Sequence, residues 1–440
     1  MDKNISNVIS FDRSAAFLHR RAKKNRASNP LDALELMRKA VEKSPDQLDY
    51  QMDIAEVYYE MGCSAQSVAA LGRVLQNEGA PAECYFGLGL NFWEMGNIGA
   101  FQTAMTRYLG EAADGEYRDE ALEFMTHVQI AAFLGKPKKR RDMRAVSLAM
   151  RAGRLLGEGS SARAERYLSR SVRLNPRDPR ARLSHAAALS ERGDAAEAAR
   201  EAGIAAIGLK SPEMLCAAAN IFFASGAVVR ANRLYLRALK RAGGSVCLSL
   251  IETACKLGHY ARARSLLRKA LVKFPYERQF LHGMAVCLIN TGHPAEAALP
   301  YWQRIVRADE GDAVAASFLS LAAQNRLPAA PLRFEYEAPQ EEAAGWLARL
   351  DELSTSSDEA LLDTWSEGDS LKQALRWALI GPHAVCAVAL YERIPDSEAE
   401  AALRDGLMDM ALPGAARVAA EAALRARGAP APYLSLSARG

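Results

Sequence analysis

Arginine is the residue type whose spacing most invites a chemical reading in this chain. Arg163, Arg166, Arg170 and Arg173 stand three, four and three apart, which on a helix places them along one face. Arg230, Arg233, Arg237 and Lys240 repeat the same spacing, and Arg200, Arg262 and Lys269 fall at matching places between and after them. A row of guanidinium groups can grip phosphate or carboxylate oxygens in pairs, so this stripe is a candidate polyanion site. Nucleic acid would be drawn through its backbone charge, without reading of sequence. Only Tyr167 and Tyr235 interleave with the stripe, which is poor provision for base stacking. The alternative is a solvated outer face in an arginine-rich protein.

Cys255, His259 and Cys287, with His293 nearby, are the one grouping of metal-ligating residue types. Gly258 should end a helix between Cys255 and His259, which takes them off a shared face. The closely spaced ligand pairs of a structural zinc site are missing, so the two thiols read as small packing residues. There is no Walker-type phosphate loop, no Gly-x-Ser-x-Gly and no His-Glu-x-x-His, and no carboxylate pair stands out from helix-surface charge. The sequence therefore predicts no enzyme, no metal and no cofactor.

The elements that position these residues begin with composition. The 440 residues carry a net charge of +4, half are hydrophobic and a quarter are charged, which excludes disorder as an overall description. That small net charge conceals three blocks. Residues 1–134 hold 13 basic and 19 acidic side chains, residues 135–329 hold 33 and 15, and residues 330–440 hold 10 and 18. Such asymmetry bears on partners rather than on fold. No stretch approaches the roughly 18 unbroken apolar residues of a membrane span. The opening MDKNISNVISFDRS lacks the order of a signal peptide, and seven scattered cysteines read as reduced thiols, so a cytoplasmic location is expected.

Seven glycines then set a beat. Gly62, Gly96, Gly159, Gly193, Gly226, Gly258 and Gly292 each close a short helical pattern, at spacings of 34, 63, 34, 33, 32 and 34. The 63 reads as one ordinary period plus a degenerate one. Around them recurs a phrase of small, large, small and proline: Ala33–Met37–Ala40–Pro45, Ala164–Leu168–Ser171–Pro176 and Ala263–Leu267–Ala270–Pro275. Before the glycines stand Ile54–Ala55–Tyr58, Leu88–Gly89–Phe92 and Ala218–Ala219–Phe222. Small residues let paired helices approach, glycine ends the first helix and proline stops the second. These residues resemble the tetratricopeptide repeat (TPR), and the order of segments is similar to that of bacterial TPR proteins. The resemblance implies an all-α fold, a right-handed solenoid of antiparallel helix pairs in two arrays with a C-terminal non-TPR helical domain. No alternating strand pattern competes with it.

The divisions follow: a first array over 14–134, ending in a lone helix from Glu116 to Leu134; a basic linker at 135–144; a second array over 145–326. A Pro-punctuated connector at 327–340 leads to helical pairs of HEAT-like or capping type at 341–440. The first repeat is imperfect, since Leu18 and Ala22 fit its first helix only with a one-residue deletion.

In TPR geometry the second, fifth, ninth and twelfth positions of each first helix line the inner groove. In the second and third units this places Met52, Tyr59, Phe86, Leu90 and Trp93 there, beside Asp49, Glu56 and Glu83. Large apolar side chains left on a surface mark a partner site. The alternative is that the superhelix or the lone helix covers them. The Lys and Asn of carboxylate-clamp TPRs and the sixth-position Asn of ladder TPRs are both absent, so neither ligand class carries over. The reading is a scaffold that holds a peptide or helix of a protein partner, with no membrane role; the alternative is a basic solenoid for nucleic acid or another polyanion.

Overall fold

Five glycines of the beat share one hydrogen-bond pattern with Gly62. At that residue the backbone N–H returns to the Tyr59 carbonyl and the next N–H, of Cys63, reaches back to Tyr58. This closure needs a left-handed residue, and Gly62, Gly96, Gly193, Gly226, Gly258 and Gly292 all adopt φ between 72 and 89°. A side chain there would cost roughly 1–2 kcal/mol each time. Gly159 lies outside the described residues. The computed structural model describes residues 14–77, 79–112, 114–125, 161–409 and 412–429, with short helical stretches between 144 and 155. The fold is all-α: no strand occurs among the described residues. Residues 135–143 of the basic linker and 126–134 of the lone helix expected after Glu116 lie outside them, but 118–125 is helical.

Helices pair in sequence order. The N-terminal pairs are α1 (Ala15–Asn25) with α2 (Pro30–Lys43), α3 (Leu48–Glu60) with α4 (Ser64–Val74), and α5 (Glu83–Glu94) with α6 (Ile98–Glu111). The imperfect first repeat still forms, with Leu18 and Ala22 buried. After α7 (Ser161–Leu174) come the pairs α8 (Pro179–Glu191) with α9 (Ala195–Gly208), α10 (Pro212–Ala224) with α11 (Val228–Ala242), and α12 (Leu248–Lys256) with α13 (Tyr260–Lys273). Then follow α14 (Arg278–Asn290), α15 (Leu299–Ala308) and α16 (Ala313–Ala323). The recurring phrase is the core of each pair: Ala33, Met37, Ala40, Ala164, Leu168, Ser171, Ala263, Leu267 and Ala270 are all buried. The polar member is satisfied, since the Ser171 hydroxyl donates to the Ala145 carbonyl at 2.7 Å.

Six further helices complete the chain: α17 (Gln340–Thr355), α18 (Asp358–Glu367), α19 (Asp369–Leu379), α20 (Ala384–Arg393), α21 (Ser397–Met408) and α22 (Gly414–Ala426). Packing groups the chain differently from the linear division read from the sequence. One unit joins the described residues within 1–125, 307–312 and 344–440; the other comprises those within 126–306 and 313–343. The C-terminal helices therefore share a unit with the first array. Within it α21 lies on α4, where Met408 fills the space beside Gly72 and Arg73 pairs with Asp405 at 2.9 Å. This covers a repeat face that would otherwise lie bare, as a capping element must.

Candidate functional site

The inner face of α3 and α5 divides the predicted groove residues into two kinds. Phe86 is only 5% exposed, which corrects its expected place on an open surface. Its ring stacks on Tyr117 at 4.7 Å and meets Tyr108 at 5.4 Å, while the Tyr117 N–H donates to the Tyr108 hydroxyl at 2.9 Å. The cover comes from the turn that follows α6, and nothing in the periodicity of α5 announces it. Trp93 is different: it rests on Phe101 and Phe124 yet remains 38% exposed. Met52, Tyr59 and Leu90 are half-buried on the same helices. Burial, and then the carboxylates of Glu94 and Glu120, push the Tyr59 phenol above its ordinary pKa. The open end of this face is thus apolar with an acidic rim. Glu56 is held by Arg26 at 2.7 Å, and Asp53 by His19 and Lys23.

The corresponding face of the second array carries a segment of its own chain. Leu332 and Phe334 of the connector are buried against α14, and Tyr336 lies 5.1 Å from the His282 ring. His282 is fully buried, accepts from the Trp302 indole N–H at 3.2 Å, and faces the backbone of Arg333 and Glu335. Loss of hydration outweighs those carbonyls and holds its pKa down at about 4, so the imidazole is neutral. No sequence feature of α14 singled it out; the signal that existed was the alternation Leu332, Phe334, Tyr336 in the connector.

On the stripe, Arg163, Arg166, Arg170 and Arg173 of α7 are exposed, as are Arg230, Arg233 and Lys240 of α11. Arg237 is not available in the same way: it is half-buried and donates to the carbonyls of Ala206 and Leu209 at 2.8 and 3.1 Å, closing the C-terminal end of α9. Arg200 is exposed but paired with Glu197 at 2.6 Å. In the same row α9 presents Ile204 and Ile207, both exposed. Tyr235 is wholly buried and Tyr167 carries Arg151 on its face, so neither offers a bare ring for stacking.

The cysteine and histidine grouping disperses. Cys255 and Cys287 are buried with sulfurs 3.7 Å apart, but the His259 Nε2 is engaged by Asn232 at 2.6 Å and His293 sits with Thr291 and Arg264. No cluster of three or more metal-ligating side chains occurs among the described residues, and none of the seven cysteines is in a disulfide. No helix among the described residues is long and apolar enough to cross a membrane.

Paired helices, left-handed glycines at a 32–34 residue beat and small residues at each helix crossing define a TPR-like helical-repeat protein. No family model matches the chain, and no curated protein does. Solved structures do match. Yeast Tom70 is 14% identical over 95% of this chain and 90% of its own, with a TM-score of 0.35. The Cut9–Hcn1 assembly of the APC/C is 14% identical over 72% of this chain, which spans 57% of the matched one, also at 0.35. A tetratricopeptide repeat protein from Parabacteroides merdae is 13% identical over 66% of this chain and 98% of its own, at 0.27.

Proposed function

We propose that this protein is a non-catalytic adaptor that holds a segment of a protein partner in the inner groove of its N-terminal array. The observation that carries the reading is the open row of Met52, Tyr59, Leu90 and Trp93, with Trp93 exposed at a position set by repeat phase. A large aromatic side chain left in water beside half-buried neighbours is the usual composition of an interface centre. The acidic surroundings of Tyr59 favour a segment whose apolar anchors are flanked by basic residues. Met52, Leu90 and Trp93 supply contact area, and Glu94 and Glu120 supply the charge. A reducing compartment such as the cytoplasm suits seven cysteines without a disulfide. The test is recovery of partners from the source cell with the wild-type chain and with Trp93→Ala, identified by mass spectrometry. The adaptor reading requires a partner that is retained by the first and lost from the second.

A second reading rests on the exposure of the arginines of α7 and α11. That face would bind a polyanion through charge alone, with strong salt dependence. Heparin retention at low salt, measured for wild type and for Arg166→Glu with Arg233→Glu, decides it: a surface that does no such work is not retained even in wild type.

A further inference from the structure

The connector between α16 and α17 does not behave as a spacer. Leu332 and Phe334 are buried, Arg333 between them is exposed and Tyr336 is half-buried, in a segment that is neither helix nor strand and bends over residues 334–336. The partners of this segment lie on α14. Gln279 and His282 hold the second and fifth places of that helix, the ones that line the groove in repeat phase. Asn290 takes the segment by its backbone in both directions: its Nδ2–H donates to the Leu332 carbonyl at 2.9 Å, and the Leu332 N–H donates to its Oδ1 at 2.7 Å. Gln279 Nε2–H donates to the Phe334 carbonyl at 3.2 Å. The Phe334 ring fills the space that a side chain at Gly283 would need. Charge completes the clasp, with Lys256 of α12 3.5 Å from Glu335 and Arg278 over the Tyr336 ring at 5.6 Å.

Backbone capture by side-chain amides, with alternate side chains in pockets, is how a groove reads an extended peptide irrespective of whose chain it is. We propose that the inner face of α12 and α14 is a binding site for a non-helical partner segment with the pattern apolar–x–aromatic–acid–aromatic, and that residues 331–336 are its built-in occupant. A tethered occupant acts at an effective concentration on the order of millimolar, so a partner segment must displace it to bind. The inference is independent of the N-terminal groove, because the residues and the unit differ.

The experiment uses the full chain and a labelled synthetic peptide of residues 329–338. Wild type should bind the peptide weakly, because its own segment occupies the site. The Leu332→Ala/Phe334→Ala double variant should bind it at least tenfold more tightly, or, if the variant is unstable, the peptide should restore its cooperative melt. Adding Asn290→Ala to the double variant should abolish that binding. Hydrogen exchange gives a second reading: excess peptide added to wild type should speed exchange at Leu332 to Tyr336 and leave α14 protected. The proposal is overturned if the double variant folds and binds the peptide no better than wild type. It is equally overturned if the variant loses its melt and the peptide does not restore it, for then the segment is ordinary core.

Discussion

The inner face of the first array and that of the second begin from the same repeat geometry and are finished in opposite ways. In the first, Tyr117 closes over Phe86 while Trp93 stays open to water. In the second, the stretch from Leu332 to Tyr336 runs along α14 and is bound through its backbone. Repeat phase decides which residues point inward. What arrives from elsewhere in the chain decides which of them remain surface.

Phe86 and Trp93 stand on the same helix and should respond to truncation in opposite ways. Phe86→Ala should cost about 3–5 kcal/mol of stability, as deletion of a buried aromatic does, and Leu88→Ala about 2–5 kcal/mol. Chemical denaturation of the first unit measures both. A Phe86→Ala variant as stable as wild type would reopen that part of the groove. Next in size is pH. His282 titrates at about 4 in the folded chain and would titrate near 6.5 when unfolded, so the unfolded state takes up the proton first. Stability from this group is complete above pH 6.5 and falls as the pH drops toward 4, by about 3 kcal/mol in all. The groups facing it are Trp302, Phe318, Tyr336 and the backbone of Arg333 and Glu335, and the Glu335 carboxylate acts on it by charge. Denaturation midpoints of wild type and His282→Gln between pH 4 and 7 test this: the slope should be present in the first and much reduced in the second.

Trp93→Ala should weaken partner binding by about 2 kcal/mol or more. Its stability should move by less than about 1 kcal/mol, because the ring is partly solvated already. The basic face divides by contact, and its exposed arginines carry the smallest effects. Arg166→Glu and Arg233→Glu should leave the melt within about 0.5 kcal/mol of wild type. Arg237→Glu should cost about 1–3 kcal/mol, since it strips charged donors from two carbonyls at the end of α9. Equal effects at 233 and 237 would mean that the stripe is one surface after all.

Much of the fold was legible because its signals are local. A glycine that needs φ near 75°, an alanine that needs a helix crossing and a proline that stops a helix each act within a few residues. The candidate sites were less legible because their covers are distant. Tyr117 lies 31 residues after Phe86, and Asp405 and Met408 lie more than 300 residues after the α4 residues that they meet. Proline and polar residues made 327–340 read as a linker, although its apolar and aromatic Leu332, Phe334 and Tyr336 were the mark of a seated segment. Arg237 could not be told from Arg233 by spacing, because the carbonyls that engage it belong to the preceding helix.

Whether a protein partner sits at the open end of the first groove is read out by a photo-reactive amino acid placed at position 93 in the source cell. A second copy of the experiment places it at position 418, where Val418 is 70% exposed on α22. A discrete protein adduct is expected from position 93, lost when Met52 and Leu90 are changed to alanine, and none from position 418. No adduct from position 93, or the same diffuse products from both positions, would contradict it.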